Sequence, residues 1–129
     1  MRLSRDVYVL RGRELDLRAR VAAARLVFPE STVCLQTSAG LLNLPVDDDG
    51  IVHLDRGAGA PRSERPGVQV HRLGIPPERI HLLEDIPVAD GPRVVADLSA
   101  TMSLEGLVAL GDQVLRRWKA DEIASAVAH

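Results

Sequence analysis

The stretch "RIHLLEDIPVADGPRVVADLSATMSLEGLVALGDQVLRR", Arg79 to Arg117, decides the fold. Its first third, "RIHLLEDIPVAD", reads as two short strands hinged at Glu84–Asp85. Pro92 suits a first helical turn behind Asp90 as cap, so "PRVVADLSA" reads as a short helix. Ser103, with Gly106 three residues on, starts another helix. In it Leu104, Leu107, Val108, Gly111, Val114, Leu115 and Trp118 fall on one stripe, an amphipathic helix of about four turns. That stripe is expected to be the main core seam, with Leu107 inside it. Asp112 lies at the border of the stripe, and Asp97 sits in a similar place in "VVADL". A carboxylate there takes a backbone N–H or an arginine, because leaving it unpaired in a core is costly. Strands followed by a run of helices point to an α+β arrangement.

Upstream, "VYVL" (Val7 to Leu10) reads as a short strand entering from a basic arm. From Glu14 to Val27 the positions Leu15, Ala19, Ala22, Ala23 and Leu26 make a helical stripe, stopped by Pro29. In "TVCLQTSAGLLNLP" the segment "TSAGLLNL" suggests a short helix capped by Thr37 or Ser38 and ended before Pro45. "DDDG" (Asp47 to Gly50) is a turn, and "IVHL" and "VQVHRL" are strand candidates separated by a loop from Asp55 to Gly67. The expected fold is a small mixed sheet of short strands with four to five helices, one domain over residues 1–129. It divides into a basic arm with a wing-like strand (1–10), a body (13–118) and a C-terminal tail (119–129).

Composition agrees with one domain. A chain of 129 residues, 46% hydrophobic, can bury a core of its own. With only 2% aromatics that core must be built from Val, Leu, Ile and Ala. A single cysteine, Cys34, excludes an intrachain disulfide and a cysteine-based zinc site, which fits a reducing cytoplasm. The charged N-terminus lacks a signal-peptide core, and no apolar run reaches the length of about 18 residues that a membrane span needs. A cytoplasmic protein with no membrane partner is expected. The net charge of −2 divides unevenly: residues 1–30 carry +3 and residues 31–129 carry −5. A local basic face on an acidic body is the form that a DNA footprint would take.

Arg11, Arg18 and Arg25 are spaced by seven, as are Arg13 and Arg20, so each set makes a helical stripe able to lie along phosphates. The other reading has Arg18 and Arg25 flanking the apolar stripe and snorkelling over it. The loop from Arg56 to Arg72 adds Arg56, Arg62, Arg65 and Arg72 against Glu64, on an open Gly/Pro-rich segment that reaches a phosphate or remains solvated. The candidate DNA-contacting residues are Arg2, Arg5, Arg11, Arg13, Arg18, Arg20, Arg25, Arg56, Arg62 and Arg65. No catalytic or metal-ligating set is expected. His53, His71 and His81 lie in separate strand candidates, no two at the short spacing of a metal motif, and read as scattered, satisfied histidines. "DDDG" fails as a calcium loop because its twelfth position is Ala58 rather than a bidentate glutamate. "GAGA" (Gly57 to Ala60) is not a dinucleotide fingerprint, so no cofactor is expected. Cys34 has no neighbouring base and reads as a small core residue.

The blocks "TSAGLLNLPV", "PGVQVHRLGIPPERI", "DIPVADGPRVVADL" and "LVALGDQVLRR" together resemble the AbiEi-type antitoxin family of type IV toxin–antitoxin systems. More narrowly, they resemble actinobacterial members that carry a Vsr-like endonuclease domain behind this region. The blocks follow the family order over roughly residues 5–118. The resemblance implies that "RLSRDVYVL" is the end of a winged helix-turn-helix. The recognition helix and the nuclease segment do not occur among these residues, so the likeness is to the middle region, as a short phage or prophage protein or a piece of a longer one. The implied role is a non-catalytic DNA-binding regulator, antitoxin-like or repressor-like, working as a dimer. The alternative is an interaction module that binds a toxin or a phage or host protein through an exposed apolar face, without DNA. A third reading is the recognition domain of a Vsr-like nuclease.

Overall fold

The computed structural model describes residues 17–128 apart from residue 62. The wing-like strand expected at Val7–Leu10 and the first turn of the first helix lie outside the described residues. The elements run α1 (17–27), β1 (Thr32–Val33), α2 (Leu35–Leu41), β2 (Val52–Asp55), β3 (Glu64–Arg65), β4 (Val68–His71), a 3₁₀ turn (Pro77–Arg79), β5 (Ile80–Leu83), β6 (Ile86–Ala89), α3 (Gly91–Leu98), α4 (Leu104–Arg117) and α5 (Ala120–Ala128). The six strands form one mixed sheet in the order β3-β4-β2-β1-β6-β5. β1–β6 and β2–β4 are parallel, and the other pairs are antiparallel. The fold class is α+β.

Local chemistry explains the hairpins and helix starts. Glu84 and Asp85 form a two-residue turn with φ +48° and +69°, the primed geometry that matches the twist of paired strands, so β5 and β6 register Leu83 against Ile86. The β3–β4 turn is Pro66–Gly67, with Gly67 at φ +77°, where a side chain would be strained. Asp90 caps α3, its Oδ1 accepting from Arg93 N at 3.0 Å, and its carboxylate also meets Arg79 at 3.3 Å. Ser103 caps α4 by accepting from Gly106 N at 3.1 Å. Asp97 is held by Arg93 Nε at 2.9 and 3.0 Å, one of the two kinds of partner expected of it, whereas Asp112 is exposed rather than at a core border and pairs with Arg116 at 3.3 Å.

The centre of the sheet is β2, whose four residues are all buried. Register places Val33, Leu54 and Val88 side by side on one face, each fully buried. That face also carries Val52, beside which α1 lies. On the opposite face stand His53, Asp55 and, from β4, Gln69 and His71.

Between β2 and β6, β1 is only two residues long, and α2 takes over where it stops. Thr37 Oγ1 accepts from His53 N at 2.9 Å and donates to Ile51 O at 3.2 Å, so it covers the free edge of β2. Ser38 Oγ donates to Ala89 O at 2.5 Å and covers the edge of β6. The expected capping role of Thr37 or Ser38 is therefore corrected. The helix starts at Leu35 with Cys34 as N-cap and no side-chain cap bond, because both hydroxyls serve the sheet.

Other expectations are also corrected. In α1 the buried positions are Leu17, Val21 and Ala24, continuing to Phe28, whereas Leu26 is 85% exposed and Ala19, Ala22 and Ala23 face outward. The face with Leu17, Val21 and Phe28 offers more apolar area to the core than the alanine-rich face of Ala19, Ala22, Ala23 and Leu26, so the helix turns that face inward. In α4, Leu110 and Val114 are fully buried and Leu107 half-buried, but Leu104 (77%), Val108 (63%) and Leu115 (56%) are exposed. The apolar arc of this helix is wider than its contact, and the core takes the side that carries Leu110. The Asp55–Gly67 loop contains the short strand β3. The expected C-terminal tail is helix α5, which packs on α3 with Ala126 buried and Ile123 against the core. Arg79 Nη1 ties its first turn down through Glu122 O at 3.5 Å.

Candidate nucleic-acid interface

The sequence nominated arginines, and the structure sorts them. Arg2, Arg5, Arg11, Arg13 and Arg62 lie outside the described residues. On α1, Arg18 Nη1 donates to Glu84 Oε2 at 2.7 Å and Arg20 pairs with Asp48. Arg25 Nη2 donates to Pro29 O at 3.1 Å. All three are half-buried beside the core stripe and bound to groups of the fold. The free phosphate-facing stripe expected on this helix is thus not what its described half presents, and the snorkelling arrangement describes these residues.

The loop arginines behave differently. The Arg56 guanidinium stacks 5.4 Å above the Phe28 ring, and Arg56 N donates to His71 O at 3.1 Å, which sets Arg56 beside Arg72 at the ends of the parallel strands β2 and β4. Arg65 and Arg72 are exposed, and among the described residues neither side chain has an ion-pair or hydrogen-bond partner. Both line an open groove of about 820 Å³ along β4, with Pro61, Ser63, Gln69 and His71 in its wall. No carboxylate stands among the described lining residues. Arg65 is opposite Val68 in the register, so Arg72 lies roughly 13 Å further along the edge at about 3.3 Å per residue, a reach of about four charges on one nucleic-acid strand.

His71 joins this groove to the sheet. His53 Nδ1 and His71 Nε2 are 2.8 Å apart, and His53 Nε2 is 2.8 Å from Asp49 Oδ2. The two histidines expected to be scattered are thus hydrogen-bonded to one another. Parallel pairing sets Asp55 beside His71, and His53 reaches His71 as a diagonal neighbour on the same face. Asp49 is fixed by the "DDDG" turn, in which Asp48 Oδ1 accepts from Gly50 N at 2.8 Å and Asp49 Oδ1 from Ile51 N at 3.0 Å. Partial burial pushes the Asp49 carboxyl up. Hydrogen bonds from His53 and Ile51 and the His53 charge outweigh it, and the group sits below the usual carboxylate range. Burial and the neighbouring His53 hold the His71 imidazole below its ordinary range, against the opposing pull of Asp55, Asp97 and Asp49. No local pattern links residues 18 apart, so the sole sequence signal was a histidine in each of two strand candidates.

The remaining candidates are structural. Asp55 is buried, and its carboxylate accepts from Leu73 N at 2.5 Å and Ile75 N at 3.4 Å, which pins the chain after β4. Cys34 is fully buried, and burial, then Asp55 and Asp97, pushes its thiol well up. His81 is exposed on the edge strand β5. Among the described residues no group of three or more His, Cys, Asp or Glu side chains is arranged to hold a metal ion, and no helix is long and apolar enough to cross a membrane. No protein-family model matches the chain, and no curated protein matches it.

Proposed function

We propose that this protein is a non-catalytic DNA-binding regulator, antitoxin-like or repressor-like, that contacts phosphates through the β3–β4 edge of its sheet. One observation carries this reading: Arg65 and Arg72, their side chains exposed and without partners among the described residues, line one groove whose described wall holds no carboxylate, with Arg56 beside Arg72. Guanidinium groups so placed supply salt-dependent affinity without reading bases, so sequence preference is weak. The likeness to AbiEi-type antitoxins supplies the regulatory setting.

Titration of a labelled duplex over a salt series tests the proposal. Binding should appear at low salt, with log K falling against log salt by about 0.9 per phosphate neutralised. Replacing Arg65 and Arg72 by Ala should flatten the slope by about 1.8. Replacing Arg18 and Arg25 should change it little, since both side chains already serve the fold. No binding at low salt, or a slope indifferent to Arg65 and Arg72, removes the proposal.

A second reading is favoured by the exposed ridge Leu104, Val108 and Leu115 on α4. Three large apolar side chains on one helix side suit a protein partner, a toxin or a second copy. Leu104→Glu with Leu115→Glu should then abolish concentration-dependent association in sedimentation while leaving the thermal midpoint in place.

A further inference from the structure

The chain Asp49–His53–His71 fixes where a proton can be added. Asp49, held ionised, only accepts, so His53 Nε2 carries the hydrogen of that 2.8 Å contact. In the neutral imidazole His53 Nδ1 is then an acceptor, and His71 Nε2 must donate to it across 2.8 Å. The remaining nitrogen, His71 Nδ1, is the acceptor end of the chain. It has no partner among the described residues and is not sealed from solvent. One added proton turns it into a donor, whichever ring holds the charge. A second would set two N–H groups against each other across the same 2.8 Å, so the pair takes up one proton only.

We propose that the groove along β4 is a proton-dependent phosphate site, in which the histidine pair adds one positive charge at His71 to those of Arg65 and Arg72. This rests on the phosphate-binding reading above and names its regulation. The groups facing His71 are His53 and Asp55 from β2, Asp49 from the turn before it and Asp97 from α3 with its partner Arg93, while Arg65 and Arg72 line the same groove at the sheet edge. Burial and the neighbouring His53 oppose uptake of the proton and outweigh the three carboxylates that favour it, leaving a site that is mainly neutral at neutral pH. A phosphate strand held along this groove by Arg65 and Arg72 brings negative charge beside His71 and offsets that opposition, so binding draws in a proton.

The experiment is the labelled-duplex titration at about pH 8 and about pH 5.5, the range in which histidine changes charge. Affinity should rise toward the acid end, and the salt slope should steepen there by about 0.9, one further phosphate neutralised. His71→Gln should lose both changes, whereas His81→Gln, altering a histidine on the far edge strand, should keep them. Calorimetry of the unmodified protein in buffers of different ionisation heat should show proton uptake on binding, a readout that depends on no variant. Binding with the same slope at both pH values, or pH dependence surviving in His71→Gln, overturns this inference and leaves the phosphate reading standing. Absence of binding at both pH values overturns the two together.

Discussion

The Ser38 hydroxyl donates to Ala89 O with the residue fully buried, so Ser38→Ala leaves a strand carbonyl without a partner where water does not reach. That should cost about 1–3 kcal/mol, read as a lower urea midpoint at unchanged m-value. Cys34, one position beyond β1, is sealed in the same region. Its thiol is raised by burial and by the Asp55 and Asp97 charges against the relief from Arg93, so little thiolate forms. We expect a thiol reagent to leave native Cys34 unmodified and to label it at the rate at which denaturant unfolds the chain. The inert core role of this residue was legible from the absence of any neighbouring base. The role of Ser38 was not, because its partner is 51 residues away.

Helices α3 and α4 meet where Gly91 opens α3 and Trp118 closes α4. A Cβ on Gly91 would come within 2.5 Å of Trp118 Cζ3, so Gly91→Ala must displace the indole and should cost about 1–3 kcal/mol in thermal or urea unfolding. Along α4 the burial pattern makes a sharper division. Leu110→Ala should cost about 2–5 kcal/mol as a core cavity. Leu104→Ala and Leu115→Ala should stay within about 0.5 kcal/mol, as exposed positions do. Helix existence and both caps were legible because Ser103 and Asp90 act within three residues. Which arc faces inward was not, since Leu104, Leu107, Val108, Leu110, Val114 and Leu115 offer more apolar surface than one contact can cover.

At the scale of the whole molecule, stability should depend on pH through groups whose folded pKa departs from its unfolded value. His71 is lowered below 6.5, chiefly by burial, so the unfolded chain binds the proton more readily. Its contribution is full above 6.5 and declines as pH falls from there to the folded value. Asp49, lowered below 3.8, contributes above 3.8 and loses that stability as pH falls through its folded value. Asp90 and Asp97 are raised, in each case first by burial, and act in the opposite sense above 3.8. From about pH 7 to about pH 5 the His71 contribution should therefore fall with acid, and chemical denaturation of the unmodified protein against His71→Gln should show a difference that shrinks over that range.

Much that is decided within about four residues was readable from the sequence: the Glu84–Asp85 turn, the caps Asp90 and Ser103, the "DDDG" turn, the need of Asp97 for a backbone or arginine partner, and the strand character of 52–54 and 68–71. Such features depend on backbone dihedrals and neighbouring side chains that travel together in any fold. Tertiary structure alone decided the parallel pairing of β2 with β4, which joins His53 to His71 and sets Arg56 beside Arg72. It also decided the burial of Val21 rather than Ala22, the covering of two strand edges by Thr37 and Ser38, and the packing of α5. These are choices among locally equivalent options, and enclosing one apolar face of each element while pairing the strand edges inside the core is a condition that only the assembled sheet and helices impose.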